Sequence, residues 1–251
     1  MSTPSLVGKR VLITGGGSGV GAQMALAFAQ AGAEVIIAGR RLAALEKIAA
    51  EHTAIRGIAA DVTDEASIQA LFAQSGAIDI VIANAGAAES APLSKTSLAA
   101  WQNMLAVNLT GVFLTLREGL KQMQGRPWGR LIVVASTAGL KGYAYVAPYA
   151  AAKHGVIGLV RSLALEVATK GITVNALCPG FLDTEMTERS VANIMQKTGR
   201  SREQALAALA ATNPQQRLIQ ASEVASAALW LCTAGSEGIN GQALAIAGGE
   251  V

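Results

Sequence analysis

The sequence predicts an α/β fold, a single doubly wound parallel sheet of seven strands with helices on both faces. Three observations predict it. Short apolar runs alternate with longer helix-like stretches from residue 10 to residue 247. Half of the 251 residues are apolar (51%) and only 15% are charged, which suits strands buried on both sides, and 27 glycines supply the turns between them. No Pro- or Ser-rich linker and no internal repeat divides the chain, so residues 1–251 read as one domain.

The same composition excludes several classes. Twenty basic against 17 acidic residues leave +3, the basic residues are scattered, and aromatics make up 4%, which argues against a nucleic-acid partner. Cys178 and Cys232 are far apart and lack metal spacing, and His52 and His154 form no cluster. No metal site and a reduced, cytoplasmic chain are therefore expected. Val11-Leu12-Ile13 is too short for a secretory core, and no apolar run approaches membrane-spanning length, so no membrane association is expected.

Arg10–Thr14 reads as the first strand. Gly15-Gly16-Gly17-Ser18-Gly19-Val20-Gly21 follows, and then the apolar helix Ala22–Ala31. Glycines let a backbone approach a pyrophosphate closely, and the helix start favours negative charge, so the pattern T-G-x-x-x-G-x-G marks a Rossmann-type dinucleotide site. Such turns also occur simply to pack a helix on a strand. Glu34–Gly39 is the second strand. Where an acid would bind both ribose hydroxyls stands Gly39, followed by Arg40-Arg41, which can pair with a 2′-phosphate. NADP(H) is thus expected over NAD(H), the alternative being a solvated Arg pair.

A helix at about 42–51 and a strand near 55–60 lead to Asp61-Val62. Asp61 can accept the adenine amino group or cap a helix over 64–74. The fourth strand, 79–83, ends in Asn84-Ala85-Gly86, a turn near the cofactor or a plain turn. A long helical stretch, 97–124, carries Asn108, either satisfying a backbone group or marking a backbone distortion beside the site. The fifth strand, 129–135, delivers Ser136 at its carboxyl end, where open α/β sheets bind ligands.

Tyr149-Ala-Ala-Ala-Lys153 is the centre of the reading. An alanine spacer favours helix, and residues four apart share a face, so the ammonium can lie beside the phenol. Bringing a phenol from pH 10 to neutrality takes roughly 4 kcal/mol. One ammonium about 5 Å away, at an effective dielectric of about 20, supplies roughly 3 kcal/mol. An isolated Y-x-x-x-K is more often an ordinary helix surface, and the surrounding motifs decide the matter.

With Ser136, Tyr149 and Lys153 reached, the sequence resembles the short-chain dehydrogenase/reductase family over nearly its whole length. The matching elements are the glycine motif at 14–21, Asn84-Ala85-Gly86, Asn108, Ser136, the Tyr149/Lys153 pair, and Pro179-Gly180 with Thr184. Two departures stand out. Ala83 replaces a second Asn before the N-A-G turn, which removes one side-chain anchor, and Ala247-Gly248-Gly249 lacks the usual acid. The resemblance implies that Tyr149 is the general acid/base, that Ser136 holds the carbonyl, and that Lys153 lowers the phenol pKa and binds the nicotinamide ribose. Asn108 would support a relay water. It further implies cofactor contacts from Gly15, Ser18, Gly19, Val20, Gly21, Arg40, Arg41, Asp61, Val62, Asn84, Gly86, Pro179, Gly180, Leu182 and Thr184. Substrate would meet Ser136, Tyr143, Tyr149 and Met186. Hydride arriving at a carbonyl needs one donor for the charge and one acid for the proton, tasks suited to Ser136 and Tyr149.

Tyr143 and Tyr145 are expected to line the pocket or pack. Ile172–Leu177 is the sixth strand, Cys178 a buried filler, and Thr184 a donor to the carboxamide or to a phosphate. Residues 185–213 read as a substrate lid of two short amphipathic helices, with a Ser201/Gln204 capping box, or as packing for a neighbouring subunit. Ser222 caps a helix over 223–232, and 243–247 is the last strand. Family members commonly form tetramers through the helices equivalent to 97–124 and 149–169, so a homotetramer is implied. The lid is similar to those of 3-oxoacyl-thioester reductases, polyketide ketoreductases and 3-hydroxybutyrate dehydrogenases. A small carbonyl or alcohol substrate, first a 3-oxoacyl thioester or similar β-keto compound, is expected. Lys197, Arg200 and Arg202 could meet an anionic carrier. A cyclic or aryl ketone is the rival, and a non-catalytic dinucleotide sensor is the reading from another class.

Overall fold

The computed structural model describes residues 5–251. Seven parallel strands, β1 (Arg10–Thr14), β2 (Glu34–Gly39), β3 (Ile55–Ala59), β4 (Ile80–Ala83), β5 (Gly129–Val134), β6 (Ile172–Pro179) and β7 (Ala243–Ile246), form one sheet in the order β3-β2-β1-β4-β5-β6-β7. Val11, Leu12 and Ile13 pair with Val35, Ile36 and Ile37 on one side and with Ile80, Val81 and Ile82 on the other, so the middle of the sheet is all β-branched or leucine. This is the predicted Rossmann-type architecture.

Alternate residues of each strand feed opposite faces. Val11, Ile13, Val35 and Ile37 pack under α1 (Gly19–Gln30), α2 (Leu42–Ala49) and α9 (Ala221–Trp230). Leu12, Ile36, Val81 and Leu131 pack under α3 (Glu65–Ser75), α5 (Gly111–Met123) and α6 (Ala147–Val167). α7 (Glu185–Thr198) and α8 (Arg202–Ala210) have a small core of their own around Val191, Ala205 and Leu209. The predicted Ser201/Gln204 capping box is present at the start of α8.

Three local expectations change. The stretch 97–124 is not one helix: α4 (Leu98–Leu105) passes into a π-turn at Ala106–Thr110 before α5. The cap of α3 is Asp64, whose carboxylate accepts from the Ala66 N–H, so Asp61 does not cap it. Ser222 lies inside α9; the cap is Gln220, in a box with Glu223, whose carboxylate accepts from the Gln220 N–H at 2.8 Å and also pairs with Arg217. A second partner for Glu223 outweighs the intrinsic preference for serine.

Candidate active site

A cavity of about 760 Å³ opens at the carboxyl ends of β1, β4, β5 and β6. It sits where the strand order reverses between β1 and β4, the place at which open α/β sheets bind ligands. Every residue named above as cofactor- or substrate-facing lines it except Gly21. A Cβ on Gly21 would fall 2.2 Å from the Gly15 carbonyl oxygen, so this glycine packs the helix against the loop, behind the cavity wall. Gly21→Ala is therefore expected to lower stability by about 1–3 kcal/mol through overpacking. A thermal melt reads this, and an unchanged midpoint would remove the packing role.

The loop is shaped for an anion. Gly15 has φ +68 and Gly19 φ +53, conformations open to glycine, and the first turn of α1 lines the cavity with no side chain capping it. A single residue straps the loop to the turn after β4. The Asn84 amide donates to the carbonyls of Thr14 (3.0 Å) and Gly15 (3.1 Å), while the Thr14 hydroxyl accepts from the backbone of Asn84 and Ala85. With those four bonds the turn keeps its anchor despite Ala83. Thr184 lies against Gly19 of this loop, its methyl 3.5 Å from where a Cβ would stand. The cradle thus fits a dinucleotide.

Arg40 and Arg41 line the same end, beside Asp61. Burial pushes the Asp61 carboxyl up, but the Thr63 N–H and hydroxyl and the Arg40 charge bring it net below the usual carboxylate range. Asp61 is thus an ionised acceptor at the cavity wall.

Asn108 is fully buried in the π-turn. Its amide donates to the carbonyls of Ala87 (2.9 Å) and Met104 (3.1 Å), and its Oδ1 accepts from the Ala87 N–H. Both amide hydrogens are committed, so only a lone pair of Oδ1 is left for a water. Gly86 leaves that atom clear: a Cβ there would sit 3.0 Å from Oδ1 and 3.9 Å from the Lys153 ammonium.

Ser136 follows β5, and its Oγ accepts from the Ala138 N–H at 3.1 Å, which leaves its hydroxyl hydrogen free to donate. Tyr149 and Lys153 lie one turn apart on α6, the ammonium 5.5 Å from the phenol ring centre, close to the separation the sequence implied. Lys153 donates to the Val134 carbonyl at 2.9 Å. The electrostatics differ from the sequence arithmetic. Burial pushes the Tyr149 phenol up, with the Ser136 hydroxyl pulling it part of the way back, and burial brings the Lys153 ammonium down to about 8. The arithmetic counted the attraction of the charges and omitted their desolvation, which the packing of α6 on β5 and β6 imposes. Burial likewise raises the Cys178 thiol to about 11, in keeping with an unreactive filler.

Tyr143 lines the cavity edge-on to Phe181, their ring centres 6.3 Å apart. Tyr145 neither lines it nor packs: it is 64% exposed at φ +68, where its carbonyl accepts from the Ala91 N–H. Met186 faces the cavity from α7. Lys197, Arg200 and Arg202 do not. Lys197 donates to the Ser90 carbonyl, and Arg202 pairs with Glu188 at 2.6 Å. The α7 cation that does reach the wall is Arg189, which sequence reading missed; its place one turn after Glu185 was the available signal.

Among the described residues no group of His, Cys, Asp or Glu could hold a metal, and no helix is long and apolar enough to cross a membrane. Fold and site together define an oxidoreductase that uses a nicotinamide dinucleotide on keto or hydroxy substrates. The chain belongs to the short-chain dehydrogenase family, whose model matches residues 9–195. It is 36% identical to a putative ketoacyl reductase of the granaticin polyketide synthase of Streptomyces violaceoruber, over 99% of this chain and 95% of that protein. It is also 36% identical to the D-beta-hydroxybutyrate dehydrogenase of Cupriavidus necator, over 98% and 99%. The crystal structure of a point variant of the actinorhodin polyketide ketoreductase with NADPH superposes with a TM-score of 0.91 at 33% identity, covering 96% of this chain and 97% of that one.

Proposed function

We propose that this protein is an NADP(H)-dependent reductase of a 3-oxoacyl thioester or a similar β-keto compound. The observation that carries the reading is one cavity with Arg40 and Arg41 at one end and Ser136, Tyr149 and Lys153 at the other. A bound reduced dinucleotide supplies the hydride. The Ser136 hydroxyl, free to donate, stabilises the charge that develops on the carbonyl oxygen, and the Tyr149 phenol gives that oxygen a proton. Lys153 orients the cofactor ribose and contributes positive charge beneath the phenol, Asn108 fixes the Ala87 backbone, Pro179, Gly180 and Leu182 meet the nicotinamide half, and Thr184, against Gly19, meets a phosphate. α7 and α8 act as a lid, supported by the bond from the Asn193 amide to the Ser90 hydroxyl at 2.7 Å, which ties α7 across the cleft. A tetramer through α4, α5 and α6 is supported by their exposed apolar residues Leu98, Phe113 and Leu165.

NADP(H) is favoured by the two arginines and by the NADPH bound to the actinorhodin neighbour. Replacing Arg40 and Arg41 together by alanine is expected to lower kcat/KM for NADPH by roughly 100-fold while NADH stays within a few fold. Comparison of the two cofactors measures this, and a wild-type preference for NADH would sink the assignment. The β-keto reading is favoured by the ketoacyl reductase relatives. A cyclic or aryl ketone is the second reading, favoured by the Tyr143/Phe181 aromatic wall. Assaying acetoacetyl-CoA against plain and cyclic ketones chooses between them, and rejection of every β-keto compound defeats the first.

A further inference from the structure

Glu250, in the turn after β7, has a side chain only 1% exposed and aimed at the substrate end of the site. Its Oε1 accepts from the Tyr143 phenol and pairs with the Lys141 ammonium at 3.1 Å. The Tyr143 oxygen also meets the Thr137 hydroxyl at 2.6 Å. A carboxylate can only accept, so the phenol's one proton goes to Glu250 and Thr137 donates to the phenol. Burial together with that bond pushes the Tyr143 phenol far up. Tyr143 therefore offers the cavity a ring and no hydrogen. Glu250 Oε2, meanwhile, has no partner among the described residues and lies 3.1 Å from where a Cβ on Gly180 would be. A buried carboxylate with one bare oxygen is costly to keep, and its placement behind a cavity wall calls for a reason.

Around Tyr143 the lining is mostly apolar, with Ala138, Ala144, Val146, Phe181, Met186 and Leu209, and its other polar groups on the α7 and α8 side, Thr187, Ser190 and Thr212, are uncharged. The cations nearby are spoken for. Lys141 is paired with Glu250, its ammonium 5.1 Å over the Tyr143 ring, and Lys153, though without a carboxylate among the described residues, is held beneath the phenol by the Val134 carbonyl, where the proposed cofactor ribose meets its charge. Arg189 stands at the rim beside Glu185, both more than two-thirds exposed. A carboxylate close to the reacting carbonyl would lose its water and find no counter-charge.

We propose that Glu250 is a specificity-determining residue acting through Tyr143 and Lys141: it withholds the phenol proton and the nearby ammonium from the cavity, so the site takes an uncharged acyl or ring group and rejects a free keto acid. This rests on the reading of the cavity as a carbonyl-reducing site.

The test compares matched pairs, ethyl acetoacetate against acetoacetate and cyclohexanone against 4-oxocyclohexanecarboxylate, with NADPH. Wild type is expected to favour the neutral member of each pair it uses by at least about 100-fold in kcat/KM, the cost of burying an unpaired carboxylate. Glu250→Gln removes the charge that neutralises Lys141, whose ammonium keeps only its bond to the backbone carbonyl of residue 250 at 3.3 Å, and the preference is expected to fall by about 10-fold, with KM for the neutral member raised, kcat little changed and NADPH affinity unchanged. Adding Lys141→Met to that variant should restore the preference, which loss of a structural contact would not do. Lys141→Met alone serves if the Glu250 variant does not fold: it leaves the carboxylate without its cation, and the preference should rise about 3-fold. A wild type that prefers the free acid overturns the proposal, and so does an unchanged preference in folded Glu250→Gln or Lys141→Met. Turnover of cyclohexanone with rejection of all β-keto compounds removes the β-keto reading alone, since the cyclic pair still decides the role of Glu250.

Discussion

Tyr149→Phe is expected to leave the fold and dinucleotide affinity intact while lowering kcat by on the order of 10³-fold or more, the range assigned to a positioned general acid. The variant removes one oxygen and keeps the ring that faces the Lys153 ammonium. Ser136 still donates its hydroxyl to the developing oxyanion, so charge stabilisation survives and proton delivery does not. The direction of the pH dependence follows from burial, which holds the phenol above its ordinary value in the free protein, with Ser136 opposing. The phenol is thus protonated at neutral pH, the state that carbonyl reduction needs. Reduction should hold steady through neutrality and fall only in alkali, whereas alcohol oxidation, which needs the phenolate, should climb with pH. Stopped-time assays in both directions across pH, beside fluorescence titration with NADPH, measure all of this. Near-normal kcat in the variant would exclude Tyr149 as the acid.

The sheet was legible because each strand is an apolar run that stops at a residue with another task. Val-Leu-Ile stops at Thr14, Ile-Val-Ile-Ala at Asn84 and Leu-Ile-Val-Val-Ala at Ser136; Asn84 and Ser136 are cavity wall, and Thr14 holds the turn that carries Asn84. The π-turn at 106–110 was not legible. Its residues favour helix well enough, and the shift to longer bonds is set by Asn108 reaching across to Ala87, a contact between segments 21 residues apart. The cap of α9 failed for a related reason: Ser222 has the right chemistry, but Glu223 gains both Arg217 and the Gln220 N–H only if the helix starts earlier, at Ala221.

Glu250 escaped for want of a local signal. It is the one charged residue between 238 and 251, following Ala247-Gly248-Gly249, where the family's usual acid is missing, yet nothing in that string says that it turns toward Tyr143. Spacing along one helix brought Tyr149 and Lys153 together correctly, because both ends of that distance belong to a single element. Their desolvation belongs to the sheet beneath, and it reverses the expected direction for the free phenol.

That desolvation makes Lys153→Met the second large effect, with activity and stability moving in opposite directions. Lys153 is 3% exposed, and its ammonium donates to the Val134 carbonyl and among the described residues has no carboxylate partner. Burial lowers it from 10.5 to about 8, which corresponds to a cost of about 3 kcal/mol at neutral pH. Between about pH 8 and 10.5 the unfolded chain binds more protons than the folded one, so this cost is full below pH 8 and fades as pH rises. A methionine fills the same volume without charge and gives up one hydrogen bond worth about 1 kcal/mol. The variant should therefore melt above wild type at pH 7, by roughly 2–4 °C per kcal/mol gained for a chain of this size. The gap should narrow as pH is raised toward 10. Turnover should drop at least about 100-fold and NADPH affinity weaken, because the charge beneath the phenol and the ribose contact are both lost. Thermal melts at pH 7 and pH 10 beside steady-state kinetics measure the two halves separately. A variant that melts below wild type by the same margin at both pH values would show that the folded chain bears no such cost, and retained turnover would take Lys153 out of the reaction.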